Sequence, residues 1–303
     1  MSWLRGESRL RLGLMCVALV CMAPLAQAQQ LKLVHSERSL YRQVLVYEQG
    51  GLRYLCFTRD CAIGRQSVID LEHPEKLQFD YTHMMMSALF AVPAPKSVLI
   101  VGLGGGTLPR TLAGVLPAAH IDTVEIDPAV TRVARTYFSY VPSPNTSTFE
   151  EDGRAYVKRM IRARKTYDLV MLDAYDHEYI PEHLLTREFL QEVKSLLNPG
   201  GIVAANTFSS SKLYDSESVT YRSVFGEFYN LKSGNRVIIA SNGPLPPLTT
   251  LRRNSADFAA RFANLGFDVE DILDRFSLQP DWNSGARILT DQYSPANLLN
   301  STR

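Results

Sequence analysis

Four short clusters of glycines and acids along the middle of the chain have residue types suited to holding a nucleoside and moving a proton. The first is Val101-Gly102-Leu103-Gly104-Gly105-Gly106-Thr107. It follows a short apolar run and opens a helical pattern. Gly102, Gly104 and Gly106 can therefore turn the backbone tightly and let it approach a ligand. The second, Glu125-Ile126-Asp127, comes about 20 residues later, where a carboxylate can accept hydrogen bonds from ribose hydroxyls. Asp127 precedes Pro128, a pairing that suits a helix N-cap, so Glu125 is assigned to the ribose and Asp127 to the cap. The third, Glu151-Asp152-Gly153, offers two roles for Asp152: accepting a hydrogen bond from a ligand or capping a helix from Arg154. Both stay open. The fourth, Asp173-Ala174-Tyr175-Asp176, places two acids three residues apart, where together they could hold one cation.

These clusters need a scaffold that brings them to one edge. From Ser97 the chain alternates strands and helices. Short apolar strands are expected at Ser97–Val101, Ile121–Glu125, Thr148–Glu151, Asp168–Leu172 and Ile202–Asn206, with helices at Leu108–Leu116, Ala129–Tyr137, Arg154–Ile161 and Leu184–Leu197. Such alternation predicts a parallel, doubly wound sheet whose ligands bind outside the carboxyl ends of the strands. Each of the four clusters falls at such an end. Asn198-Pro199-Gly200-Gly201 is a stop before the fifth strand. Helices at Tyr221–Phe228 and Ser255–Leu265 and a strand at Arg236–Ser241 are expected beyond it, and the segment after Pro280 reads as irregular.

Ahead of this core, Leu31–Ile69 reads as a small β region, with alternating segments around Val44, Val46, Leu52 and Tyr54 and a Gln49-Gly50-Gly51 turn. Phe79–Phe90 reads as a helix leading into the core, and Pro93-Ala94-Pro95 marks the boundary. The N-terminus differs from everything after it. Arg5, Arg9 and Arg11 precede an apolar run from Leu12 to Leu25, and Ala26-Gln27-Ala28 is a small-x-small cleavage site. This is the layout of a secretory signal peptide. The run is short for a membrane span of about 20 residues, so cleavage is favoured over an N-terminal anchor. Cleavage after Ala28 changes the net charge from +1 to −1 and leaves Cys56 and Cys61 as the only cysteines. In an oxidising compartment such a pair reads as a disulfide. The expected organisation is a signal peptide over 1–28, the β region and linking helix over 29–94, the core domain over 95–245, and a helix and tail over 246–303. The near balance of 32 basic and 31 acidic residues offers no general attraction to nucleic acid.

The four clusters, in this order, resemble the spermidine synthase (polyamine aminopropyltransferase) family. Tyr41-Arg42-Gln43-Val44, Gln66-Ser67, Phe79-Asp80-Tyr81 and Leu196-Leu197-Asn198-Pro199-Gly200-Gly201-Ile202 carry the resemblance on either side of the core, from about Ser36 to Ser241. It implies a class I methyltransferase-like Rossmann fold. It makes Asp173 the catalytic acid and Asp176, Tyr81 and Gln66 amine-binding residues. Gln43, Gly102, Gly104, Gly106, Glu125, Asp152 and Gly153 become nucleoside-binding residues. No metal and no tightly bound cofactor are implied, and decarboxylated S-adenosylmethionine or S-adenosylmethionine is the co-substrate. A homodimer is left open. The chain departs from the family at Gly105, where the family carries an aspartate, and at Thr82-His83, where it carries His-Glu. Ile180-Pro181-Glu182-His183-Leu184-Leu185-Thr186 looks more like divergent spermidine synthase-like proteins.

The resemblance implies transfer of an aminopropyl group from a sulfonium to a diamine such as putrescine, with Asp173 as the base. Three other readings stand beside it. Gly105 removes an acid that would repel the carboxylate of intact S-adenosylmethionine, which suits a methyltransferase. A periplasmic setting suits a non-catalytic polyamine- or nucleoside-binding protein. A nicotinamide oxidoreductase comes last, because Thr107 breaks the final glycine of that fingerprint.

Overall fold

A computed structural model describes residues 30–174 and 181–296. From Leu31 on, the described residues form one compact unit. Its main sheet has seven strands in the order β10-β11-β9-β8-β5-β6-β7. These are β5 (Ser97–Val101), β6 (His120–Glu125), β7 (Thr146–Glu150), β8 (Tyr167–Leu172), β9 (Leu197–Phe208), β10 (Phe228–Lys232) and β11 (Asn235–Ser241). The strands β5 to β9 run parallel, and β11 and β10 add an antiparallel edge.

The strand sequences explain this sheet. Ser97-Val98-Leu99-Ile100-Val101 is apolar at successive positions because both faces of a parallel sheet are covered. Val98 and Ile100 join one buried cluster with Leu169, Met171, Ile202 and Ile239. Leu99 and Val101 join the cluster on the opposite face, with Val170, Leu172, Val203 and Ile238. The two-residue period of the strand therefore sorts one apolar run into two cores.

The helices between strands are α2 (Thr107–Val115), α3 (Pro128–Tyr137), α4 (Gly153–Arg162), α5 (Arg187–Leu196) and α6 (Tyr214–Phe225), preceded by α1 (Asp80–Met86) and followed by α7 (Leu248–Ser255), α8 (Ala259–Asn264) and α9 (Val269–Leu273). Several begin where side chains take up orphan amides. Asp127 caps α3 through Ala129 N, Asp152 caps α4 through Ala155 N, and Thr186 caps α5 through Phe189 N.

A second sheet, β1 (Lys32–Arg38), β2 (Gln43–Gln49), β3 (Leu52–Cys56) and β4 (Arg65–Asp70), is an antiparallel meander. Val44, Val46, Leu55 and Ile69 from this sheet pack on Ala129, Val130 and Val133 of α3. Each such aliphatic side chain contributes about 1.5–3 kcal/mol on burial. The small sheet is thereby fixed beside the glycine loop.

Four sequence expectations need correction, one being the helix expected at Ser255–Leu265, which is instead the end of α7 followed by α8 at Ala259–Asn264. The helix expected at Tyr221–Phe228 lies at Tyr214–Phe225, because Gly226, at φ 80°, ends it and Phe228 begins an edge strand. Asn198-Pro199-Gly200-Gly201 ends α5 but lies inside β9, as an irregularity between paired segments. The helix expected from Leu184 starts at Arg187, after a 3-10 turn at Glu182–Leu184. Among the described residues no helix is long and apolar enough to cross a membrane.

Candidate active site

The chain leaves β5 toward β6 and β7, then returns to place β8 on the other side of β5. That reversal opens a crevice at the carboxyl ends of the strands. A cavity of about 650 Å³ fills it, within the roughly 300–1,000 Å³ of small-molecule sites. Its lining includes Gln66, Tyr81, Gly102, Gly104, Glu125, Asp152, Gly153 and Asp173.

The floor is glycine for a steric reason. Gly102 has φ 102°, and a Cβ there would lie 2.1 Å from the carbonyl oxygen of Asp173. Its amide donates to Val124 O at 2.8 Å, and Asp173 N donates to Val101 O at 2.8 Å. The glycine loop and the exit of β8 therefore share one backbone ladder.

At one end of the cavity, Glu125 is held by two backbone amides. Leu103 N donates to Oε2 at 3.1 Å and Asp127 N to Oε1 at 3.0 Å. Burial raises its carboxyl above the ordinary value, while these amides pull the other way. Each oxygen keeps lone-pair capacity toward the cavity. Asp127 is occupied elsewhere: besides capping α3 it accepts from Ser39 Oγ at 2.6 Å. Asp152 uses Oδ1 to cap α4 and Oδ2 to accept from His183 Nε2 at 2.8 Å. The His183 contact, the largest influence, lowers the Asp152 carboxyl below its usual value.

Asp173 lines the same cavity. Asn206 Nδ2 donates to its Oδ1 at 2.8 Å, and the Tyr81 hydroxyl donates to Oδ2 at 3.4 Å. Asn235 in turn donates to Asn206 Oδ1 at 3.0 Å. Burial pushes the Asp173 carboxyl up to about 7, against the lowering effect of Asn206 and Tyr81. A carboxyl poised there exchanges a proton near neutral pH, as a general base must. Burial and the neighbouring carboxylate push the Tyr81 phenol well above its ordinary value, so it acts as a donor and does not ionise.

Two expected residues do not line the cavity. Gln43 sits in the β1–β2 ladder opposite Arg38, and its amide donates to Ser36 Oγ at 3.4 Å. Its neighbour Arg42 lines the cavity instead, stacked over Phe57 at 4.3 Å. Gly106 caps α2 at φ 74° and faces Tyr140, whose ring lies 2.6 Å from where a Cβ would stand. Asp176 lies outside the described residues. Cys56 and Cys61, both buried, are joined as a disulfide with Cα atoms 5.4 Å apart, and Phe57, Ala62 and Ile63 from the same loop line the cavity.

The sequence reading missed Asn206 and His183. Asn206 was signalled by its place at the end of an expected strand. His183 carried no local signal beyond the divergent run around it. Gly105 also behaves differently from expectation. Its amide donates to Ser67 Oγ at 2.8 Å, and a Cβ there would meet Ser67 at 2.9 Å and Phe138 at 3.0 Å. A side chain at this position would therefore have to displace Ser67 or Phe138, which accounts for the glycine.

A Rossmann-type sheet with a buried, amide-held carboxylate after its second strand and a buried acid poised near neutrality after its fourth places the site among those of the class I methyltransferase-like folds. Residues 78–230 match the spermine/spermidine synthase domain. A polyamine aminopropyltransferase of Vibrio vulnificus (strain CMCP6) is 43% identical over 290 residues, covering 93% of this chain and 96% of the relative. Another, of Chromobacterium violaceum, is 32% identical over 244 residues, covering 77% of this chain and 88% of the relative. A solved spermidine synthase in complex with the transition-state analogue AdoDATO shares the fold, with a TM-score of 0.61 and 22% identity over 83% of this chain and 86% of that one. The chain belongs to the spermine/spermidine synthase family.

Proposed function

We propose that the protein is a polyamine aminopropyltransferase that moves an aminopropyl group from decarboxylated S-adenosylmethionine to a diamine such as putrescine. The observation that carries this reading is the placement of Asp173, with Tyr81 and Asn206 on its carboxylate, in one cavity with Glu125. In this reading Glu125 accepts the ribose hydroxyls, and Asp152 and Gly153 border the base. The donor is a co-substrate that enters and leaves.

The diamine arrives as an ammonium, with a pKa of about 10 like that of lysine. Asp173 accepts one proton from it. The freed lone pair then attacks the methylene carbon beside the sulfonium. A C–N bond forms as the C–S bond breaks, and sulfur keeps the bonding pair as neutral methylthioadenosine. The proton on Asp173 passes to solvent. Tyr81 provides an aromatic wall that tolerates the cation, and Asp176 is assigned to the distal ammonium. Holding the two reactants in line supplies the rest of the rate.

Turnover assayed with decarboxylated S-adenosylmethionine and putrescine, following spermidine and methylthioadenosine, tests this reading. Stoichiometric formation of both is expected. Methyl transfer from intact S-adenosylmethionine in place of that reaction would overturn it.

Two further expectations are carried as proposals. The chain is exported with cleavage after Ala28, supported by the layout of its N-terminus and by the cysteine pair. A homodimer is the other, with Leu33, Leu40 and Leu71 exposed on and beside the small sheet.

A further inference from the structure

The base end of the cavity holds an imidazole that the proposed chemistry does not use. His183 lies on the 3-10 turn Glu182–Leu184 and lines the cavity with Asp152, Gly153, Pro181 and Leu184. Its Nε2 is 2.8 Å from Asp152 Oδ2. The carboxylate offers only acceptors, so the hydrogen of a neutral ring sits on Nε2. Nδ1 is then an acceptor. Among the described residues Nδ1 has no hydrogen-bond partner, and 44% of the side chain remains exposed.

The position of the ring is fixed from behind. The His183 carbonyl accepts from Arg154 Nη1 at 3.3 Å. Arg154 is 9% exposed in its side chain and makes two bonds to Glu192 and two to Asp291, at 2.7–2.8 Å. Asp291 is bound in turn by Thr186 Oγ1 at 2.7 Å. Helix α4, the start of α5 and the C-terminal segment thus converge on the backbone that carries His183. A ring so held is pre-organised, and its free acceptor is a fixed feature of the wall.

We propose that His183 is a specificity-determining residue, which with Asp152 reads the 6-amino group of the purine. Nδ1 accepts one amino hydrogen, and the Asp152 carboxylate, held by Ala155 N and His183, stands beside it as a second acceptor. The wall then presents acceptors only, matching the two donor hydrogens of adenine. A 6-oxo purine would bring a third acceptor against this wall, leaving acceptors facing each other without a shared hydrogen. The inference rests on the adenosyl reading of the cavity and adds the element that selects the base.

Calorimetry on the full chain with methylthioadenosine and methylthioinosine tests it. The wild-type protein should prefer the adenosine compound by roughly 10- to 100-fold, the usual range for a mispaired buried group. His183→Ala should bring the two affinities within about threefold of each other. His183→Gln keeps an amide donor for Asp152 and a carbonyl acceptor for the base, and should recover most of the preference. A His183→Ala protein that keeps the full preference overturns the assignment. So does a uniform loss of affinity for both nucleosides in both variants, which marks a structural role. A wild-type protein that binds neither nucleoside would overturn the adenosyl reading itself, and this inference with it.

Discussion

Replacing Asp173 with asparagine should remove activity and add stability. Asparagine keeps the shape of the side chain and still bonds Asn206 and Tyr81, but cannot take up a proton. A positioned general base contributes roughly 10²- to 10⁴-fold. At about 1.36 kcal/mol per decade, that is about 3–5 kcal/mol of barrier. The stability effect has the opposite sign. Burial raises the carboxyl from 3.8 to about 7, so the folded state favours the protonated form. That contribution is fully present below the unfolded value and is lost as pH rises through about 7. At pH 8 the wild-type protein therefore carries an ionised, poorly solvated carboxylate that the asparagine variant lacks. Three pKa units set an upper bound of about 4 kcal/mol on the difference. Water in the open cavity reduces it to about 1–2 kcal/mol, or a few degrees of Tm. Paired measurements of kcat at pH 8 and of thermal unfolding at pH 4, near the unfolded value, and pH 8 decide the matter. The variant should gain stability over wild type at pH 8 and show no gain at low pH. A variant that turns over at more than one-tenth of the wild-type rate would show that Asp173 is not the base.

The acid limb of the wild-type kcat/KM profile should fall below about pH 7, since only ionised Asp173 accepts a proton. Asn206→Ala and Tyr81→Phe each remove a group that lowers this carboxyl, so each should move the limb to higher pH, and a limb that stays in place would dissociate these residues from the base. Glu125→Gln should weaken methylthioadenosine binding by about 10-fold or more, at about 1.5–3 kcal/mol for a hydrogen bond to a charged group; unchanged affinity by calorimetry would remove the ribose assignment. Mass spectrometry of protein prepared without reductant should find Cys56 and Cys61 bonded, and the Cys56→Ser/Cys61→Ser double variant should lose about 2 kcal/mol, as loop entropy predicts for so short a closed loop. Free thiols in protein recovered from the periplasm would count against both the bond and export.

The core of the fold could be read from the chain because parallel strands buried on both faces leave uninterrupted apolar runs, as at Ser97–Val101. Glu125 and Asp173 could be found because an acid directly after such a run has few purposes other than facing a ligand. Gln43 was misplaced for a reason built into strands: successive side chains point to opposite faces, so an assignment wrong by one residue points to the wrong side, and Arg42 holds the cavity position. Asn206 was read as part of a strand and its side chain passed over, since an asparagine at a strand end carries no chemistry until the structure shows Asp173 beside it. The edge strand β10 was missed because Gly226 was not read as a helix terminator. The choice at Asp152 between cap and base contact could not be made from sequence, and the structure shows the cap in place while the same carboxylate borders the cavity.

The contact between Gly102 and the carbonyl of Asp173 turns two neighbouring strands into a caliper. The glycine floor belongs to β5 and Asp173 to the exit of β8, so the gap between their backbones is set by the spacing of paired strands, roughly 4.8 Å. A ladder of backbone bonds holds that spacing, and no side chain can be traded to widen it. The distance between the glycine floor and the carboxylate of the proposed base is therefore largely a constant of the fold. The length of the acceptor is not, because the wall beyond Asp173 is built from the side chains of Tyr81, Asn206 and Asn235, which substitution can reshape. Diversification of acceptors on this scaffold has room at that far wall, and none at the two strand ends.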